Sequence, residues 1–323
     1  MSEVAPGLIT VFGGTGFVGS QVVQALARQG WRIRVACRRP DRAYKLQTAG
    51  TVGQIKAVRC DAGDAAQVAE AIHGANAVIN LVGILYETPG RTFEAMHVGV
   101  SRTIAEACAA AGVDRLVQMS ALGVSPESDS DYARTKAAAE MAVREVKPDA
   151  VIVRPSVVFG AGDDFLNKFA KMAQMAPVLP LIGGGKTKFQ PVYVGDVAEA
   201  LARAAGRAEA AGQTYELGGP AVMTFEDVLR LVARETYRTP GFVPLPFAVA
   251  KMLGSLAQIP AILGFKPVLT KDQMVLLETD NVVAADAQGL AALGIEPTGV
   301  EAVAAGYLWR YRRGGQFAEA AAA

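Results

Sequence analysis

The sequence predicts an α/β chain, with a doubly wound parallel sheet and a smaller, discontinuous C-terminal domain. Three observations carry this. The run Leu8-Ile9-Thr10-Val11-Phe12 ends abruptly in Gly13-Gly14-Thr15-Gly16-Phe17-Val18-Gly19, and apolar residues at helical spacing follow, Phe17, Val18, Val22, Val23 and Leu26. That reads as strand, tight turn, helix. Apolar strands and amphipathic helices then alternate to about residue 154, the pattern of a parallel sheet covered on both faces. Beyond that point the alternation gives way to shorter elements rich in Pro and Gly.

In chain order, strands are expected at 8–12, 31–37, 55–60, 77–82, 115–120 and 150–154. Helices are expected at 64–71, at 93–111 with Gly112 as C-cap, and at 132–146, stopped by Pro148. This is a Rossmann-type sheet, whose ligands bind at the carboxyl ends of the strands. The second half is read as a helix at 165–175, a Pro/Gly-rich apolar loop at 177–185 and a short strand at 192–194. Asp196 is expected to cap a helix to 205. A strand follows at 214–217, then a helix capped by Thr224 with Asp227 three residues on, close to a capping box. The stretch 242–265 is almost wholly apolar, with Lys251 its one charge and prolines at 244, 246 and 260. Phe247, Val249, Met252, Leu253, Leu256 and Ile259 can share one helical face. Such a face suits an interfacial or subunit-docking helix, or a core helix of the second domain. The expected domains are 1–160 with a return segment at about 191–207, then 161–190 with 208–314, and a disordered tail at 315–323.

Composition excludes several classes. The chain is 51% hydrophobic and 20% charged with a net charge of +1, so it is globular and carries no basic excess for nucleic acid. Cys37, Cys60 and Cys108 lack paired spacing and read as free thiols. No uninterrupted apolar run reaches the length of a membrane span. The first strand begins at Leu8, which leaves no room before it for a signal or transit sequence. The chain is therefore expected to work where it is made, as in a bacterial cytoplasm, or to be a processed form. His73 and His97 have no ligand-spaced partners, so no metal site is expected. Gly183-Gly184-Gly185-Lys186-Thr187 imitates a phosphate loop, but the position that needs its first glycine is Pro180.

The chemistry gathers at the strand ends. Gly13, Gly16 and Gly19 let the backbone approach a bound group, and the helix N-terminus behind them offers N–H groups to a diphosphate. Their spacing is G-x-x-G-x-x-G, not the standard G-x-G-x-x-G. The second strand ends in Arg38-Arg39, with no carboxylate before Asp41. That favours a ribose 2′-phosphate, hence NADP over NAD. Asp61 follows the third strand, where a carboxylate can accept from an adenine amine. Asn80 to Gly83 ends the fourth, where the backbone passes a cofactor. Tyr132 and Lys136 stand at i and i+4 on one helix, where an ammonium can stabilise a phenolate and make the tyrosine a general acid.

These residues, with Arg154-Pro155-Ser156-Val157-Val158-Phe159-Gly160 and Val192-Tyr193-Val194-Gly195-Asp196-Val197-Ala198, resemble the extended short-chain dehydrogenase/reductases. In that family the tyrosine and lysine act with a serine and an asparagine. Here the serine position falls on Ala121, with Ser120 one residue early and on the opposite strand face, and the asparagine position falls on His97. The segments 130–140, 164–169, 186–194, 244–247 and 269–273 narrow the resemblance to an atypical branch, the nucleotide-binding accessory subunits of respiratory complex I. The resemblance implies tightly bound NADPH without established turnover. It also implies docking on other complex I subunits of the peripheral arm and membrane junction, near the quinone site. The cofactor residues on this reading are Gly13, Thr15, Gly16, Phe17, Gly19, Arg38, Arg39, Asp61, Val82, Gly83, Ser120, Tyr132, Lys136 and Pro155. Tyr132 and Lys136 are vestigial catalytic candidates that hold the nicotinamide ribose.

The expected function is that of an NADPH-binding accessory subunit of proton-pumping NADH:ubiquinone oxidoreductase. It would lie peripherally on the cytoplasmic face of a bacterial inner membrane, or on the matrix side in a processed mitochondrial homologue. A free NADP-dependent reductase or epimerase, acting on a carbonyl or sugar nucleotide, is the alternative. An NADPH-sensing regulator is a third.

Overall fold

The computed structural model describes residues 6–257 and 270–318. They divide into two units, the first made of Met1–Pro155, Gly195–Leu217 and Ala285–Ile295, the second of Ser156–Val194, Gly218–Ala284 and Glu296–Ala323. The break after Pro155 is earlier than the 160 expected. The return segment starts later and runs further than 191–207, and the excursion at 285–295 carried no sequence signal. Both differences arise because strand pairing sets the boundary. Thr214–Leu217 joins the sheet beside Val151–Pro155, and Gln288 O accepts from Glu216 N at 2.9 Å, holding 285–295 to that edge strand.

The first unit is built on a seven-stranded parallel sheet. Its strands are β1 (Leu8–Phe12), β2 (Arg32–Cys37), β3 (Ile55–Arg59), β4 (Ala77–Asn80), β5 (Arg115–Met119), β6 (Val151–Pro155) and an edge strand, Thr214–Leu217. From the other edge the order is β3-β2-β1-β4-β5-β6 and then Thr214–Leu217. The chain winds outward from β1 in one direction and from β4 in the other, so the glycine turn after β1 stands at the topological switch point. The strands read as continuous apolar runs because both faces are covered. Ile9, Val11, Val35, Val78, Ile79, Val117 and Ile152 are all buried, and each such side chain contributes about 1.5–3 kcal/mol of burial.

Helices α1 (Phe17–Arg28), α2 (Ala65–Ile72), α3 (Val100–Ala110) and α4 (Asp131–Val146) cover the sheet. Phe12, Val68, Ile72, Ile104, Cys108, Leu116 and Val143 form one core cluster. Asp64 caps α2 by accepting from Ala66 N and Gln67 N, and Ser130 caps α4 by accepting from Ala133 N. The C-terminal carbonyls of α2 are met from the sheet: Thr10 Oγ1 donates to Ala71 O at 2.9 Å and the Arg34 guanidinium to His73 O at 3.0 Å. The turn leading into α3 is π-helical over Glu94–Gly99, a feature the apolar periodicity does not reveal.

The second unit has its own core, including Phe159, Phe169, Phe189, Phe225, Leu229 and Tyr307. Two expectations fail here. The segment 177–185 is not a loop throughout, since Val178–Ile182 is a strand in parallel register with Gly241–Leu245. Pro180 and Pro244 disguise the pair. A two-stranded ribbon has only edge strands, and an edge tolerates the missing N–H. The helix after the strand Val192–Tyr193 begins at Val194, so Asp196 sits in its first turn and not at its cap. The capping box of Thr224 and Asp227 is present in full.

The apolar stretch from 242 becomes the end of that strand and a helix, Phe247–Ala257. Its apolar residues do not share one face. Phe247 packs on the core and Ala250 is buried, whereas Val249, Met252 and Leu253 are 38%, 59% and 48% exposed. Lys251 pairs with Glu278 at 2.8 Å. The Leu256 side chain, Ile259 and the rest of the stretch to Phe265 lie outside the described residues. In the tail, Gly315–Phe317 forms a single 3₁₀ turn, so 315–323 is not without structure throughout; 319–323 are not described. Among the described residues no helix is long and apolar enough to cross a membrane.

Candidate functional site

The site is built at the carboxyl ends of β1 to β6. After β1 the chain turns through Gly13, which has φ 78° and whose carbonyl accepts from Gly16 N at 3.0 Å. A Cβ on Gly13 would lie 3.0 Å from the Leu81 carbonyl group, and one on Gly19 would lie 2.2 Å from Gly13 O. Turn, helix and β4 therefore approach so closely that side chains are excluded at both positions. Thr15 is half-buried in the turn, Gly16 is exposed, and Phe17 opens α1. Gly16 gives α1 no side-chain cap, and its first turn holds no acidic residue. The N–H groups there are unsatisfied by side chains, which is the donor set a diphosphate completes.

Arg38 and Arg39 follow β2 and are exposed. Asp61 follows β3, also exposed, with Oδ1 accepting from Gly63 N at 3.1 Å. After β4, Val82 is less available than expected. Its N–H donates to Asn80 Oδ1 at 3.0 Å, and Asn80 in turn donates to Gln118 Oε1 at 2.9 Å. Asn80 therefore shapes the strand end and consumes the Val82 donor. Gly83 is exposed, and a Cβ there would stand 3.7 Å from Lys136 Nζ and 3.8 Å from His97 Nε2. Pro155 ends β6, and its carbonyl accepts from Leu122 N at 2.9 Å.

Lys136 is almost wholly buried at 5% exposure, and its ammonium donates to Met119 O at 2.9 Å. Burial pushes its pKa down to about 8, against the opposing pull of Glu140 one turn on. Below that pKa, at neutral pH, the ammonium is still mostly charged. Glu140 is held elsewhere by Arg154, whose Nε donates to its Oε1 at 3.0 Å and whose NH2 donates to its Oε2 at 2.6 Å.

His97 is 1% exposed. Its ring lies edge-on to Tyr132 at 5.3 Å and stacks on Phe93 at 5.3 Å. Nδ1 lies 3.0 Å from Thr135 Oγ1, and Nε2 lies 3.2 Å from Ile84 N and 3.1 Å from Ile84 O. Either neutral tautomer is served by these partners. Burial first, and then the Lys136 charge, lower its pKa to about 3, so the imidazole is neutral at physiological pH. Ser120, just past the end of β5, is buried with Oγ unpartnered, and Ala121 beside it is half-buried. A buried hydroxyl without a partner costs free energy.

The glycine turn, the uncapped helix end, the Lys136 ammonium and the unpartnered Ser120 hydroxyl together suit a dinucleotide. The sequence reading missed Thr135, which holds His97, and Arg91, whose Nε is buried without a partner. A Tyr-x-x-x-Lys pattern draws the eye past the threonine at its fourth position, and Arg91 lies in a loop without a motif.

The fold is that of a nicotinamide-dinucleotide-binding protein, and the chain belongs to the NAD dependent epimerase/dehydratase family, whose model matches residues 9–218. Within that family its similarity is strong to one kind of protein. It is 36% identical over 322 residues to NADH dehydrogenase [ubiquinone] 1 alpha subcomplex subunit 9, mitochondrial, of Arabidopsis thaliana, covering 97% of this chain and 80% of that one. With the Rattus norvegicus protein of the same name it shares 37% identity over 314 residues, 96% and 82% of the two chains. It is also 33% identical over 202 residues to the ceramide reductase of Caulobacter vibrioides, 62% of each. Among solved structures, the NADPH-dependent quinone oxidoreductase QOR2 of Escherichia coli, complexed with NADPH, superposes with TM-score 0.75 at 20% identity, covering 93% of this chain and 99% of that one. At that identity it shows the shared fold.

Proposed function

We propose that this chain is an accessory subunit of proton-pumping NADH:ubiquinone oxidoreductase, respiratory complex I, and that it holds NADPH tightly with little or no turnover of its own. The observation that carries this is near full-length similarity, at 36–37% identity, to complex I subunits from a plant and an animal. The site is compatible with this reading: the glycine turn and uncapped helix end can take a diphosphate, and His97, read as standing at the asparagine position of the family as Ala121 is at the serine position, is buried and neutral.

On this reading Gly13, Gly16, Gly19, Thr15 and Phe17 hold the diphosphate, and Arg38 and Arg39 take the 2′-phosphate. Asp61 accepts from the adenine, and Val82, Gly83 and Pro155 line the path of the cofactor. Ser120, Tyr132 and Lys136 hold the nicotinamide ribose. A bound nicotinamide supplies hydride chemistry, and the residues of this chain orient and shield it. Exposed Val249, Met252 and Leu253 supply apolar surface for docking near the quinone site and the membrane junction, on the cytoplasmic face in a bacterium. The test is isolation of the respiratory complex through another subunit, followed by nucleotide extraction. This chain and an equivalent of NADPH are expected in the particle. A complex without the chain sinks the proposal.

Tyr132, Lys136 and the similarity to a ceramide reductase favour a second reading, a free NADP-dependent carbonyl reductase. It requires NADPH oxidation with a carbonyl substrate that Tyr132→Phe abolishes.

A further inference from the structure

We propose that Arg91, carried on the turn after β4, joins Arg38 to form the pocket that selects the 2′-phosphate of the dinucleotide. This rests on the NADPH reading above and adds a specificity-determining residue to it.

The backbone around Arg91 is fixed. Thr88 N donates to Arg91 O at 3.2 Å and Arg91 N to Thr88 O at 2.8 Å, closing a tight Thr88-Pro89-Gly90-Arg91 turn in which Gly90 has φ 77°. Beyond it, Phe93 N donates to Glu87 Oε1 at 2.6 Å. The arginine is thus presented from a clamped loop.

Its side chain is half-buried, Nε is wholly shielded from solvent, and it has no hydrogen-bond or ion-pair acceptor among the described residues. Arg34, Arg154 and Arg203, also half-buried, each have one. Arg38 and Arg39 likewise have no carboxylate partner there. Burial first, and then the Arg38 charge, lower the pKa of Arg91, while Tyr86 and Asp61 act in the opposite direction. Arg91 is thus within electrostatic reach of Arg38 and Asp61, which follow β2 and β3, where the adenosine end of the cofactor is assigned. Two cations in mutual repulsion, one with a desolvated donor, leave an uncompensated cost that an anion removes. A phosphate monoester supplies about −1.5 to −2 charges and several acceptor oxygens, and a guanidinium fork matches it bidentately. The diphosphate already has the N-terminus of α1, so the 2′-phosphate is the group left for Arg91.

The test is titration calorimetry on the full chain with four probes, NADPH, NADH, 2′,5′-ADP and 5′-AMP, for the native protein, Arg91→Leu and Arg91→Lys. Arg91→Leu is expected to weaken NADPH and 2′,5′-ADP about 10- to 100-fold and to leave NADH and 5′-AMP unchanged. Arg91→Lys should fall between. Equal weakening of all four probes, or of none, overturns the assignment. If the native chain binds NADH as tightly as NADPH, the 2′-phosphate pocket fails while the dinucleotide reading stands. If it binds neither, both fail. Should Arg91→Leu not fold, Arg91→Gln carries the comparison.

Discussion

The ammonium of Lys136 donates to the carbonyl of Met119 across 2.9 Å, so the lysine that marks the site is anchored to the end of β5 and buried there. Burial lowers its pKa to about 8. This couples the helix that carries Tyr132 to the strand that leads into Ser120, and it sets the first prediction.

A group whose folded pKa lies below its unfolded value makes the unfolded state bind more protons between the two. Stability therefore rises with pH from about 8 to about 10.5 on account of Lys136, by at most about 1.4 kcal/mol per pH unit. Lys136→Met is expected to remove this rise and to weaken dinucleotide binding at least tenfold, on the order expected for one lost charged hydrogen bond. Urea midpoints across pH 7–10.5, read beside calorimetric binding, check both.

His97 gives the opposite pH edge. Its folded pKa is about 3 against an unfolded 6.5, so the unfolded state takes up a proton that the folded state refuses. Its contribution is intact above pH 6.5 and is lost as pH falls towards 3. His97→Gln is expected to lose stability less steeply across this window. Parallel acid titrations by near-ultraviolet circular dichroism decide it; coincident slopes would falsify the assignment.

Gly19→Ala should be among the most damaging single substitutions in the first unit. The added Cβ would stand 2.2 Å from Gly13 O, and backbone cannot yield as a side chain does. A cost of about 1–3 kcal/mol or more is expected, with loss of dinucleotide binding even where the fold survives. Thermal melting and binding on the same sample separate the two effects.

Glu140→Ala leaves Arg154 half-buried and removes its bidentate acceptor. Glu216, at 3.5 Å from Arg154 NH1, takes up part of the charge. The expected loss is about 2–4 kcal/mol, larger than for Arg102→Ala at the exposed pair with Glu145, where about 0–1 kcal/mol is at stake. Chemical denaturation of the two variants gives the comparison.

The sheet of the first unit was legible because its signals are local. Apolar runs such as Ala77–Asn80, bounded by turns, specify strands, and Gly13 to Gly19 specifies the turn at the switch point. Val178–Ile182 was illegible because its strand character comes from pairing with Gly241–Leu245, some sixty residues on in the chain, while both segments carry prolines that argue locally for a loop. The helix from Phe247 was legible as a helix but not in its facing, which depends on what packs against it.

The sequence by itself determined the fold class and the strand, glycine turn and helix that open it, since each is a matter of residue type at a fixed local spacing. Only the tertiary structure decided that Lys136 is buried with its ammonium on Met119 O, that His97 stays neutral between Thr135 and Ile84, and that Arg91 Nε is buried without a partner. Burial and like-charge proximity depend on residues distant in the chain, and no local pattern encodes them.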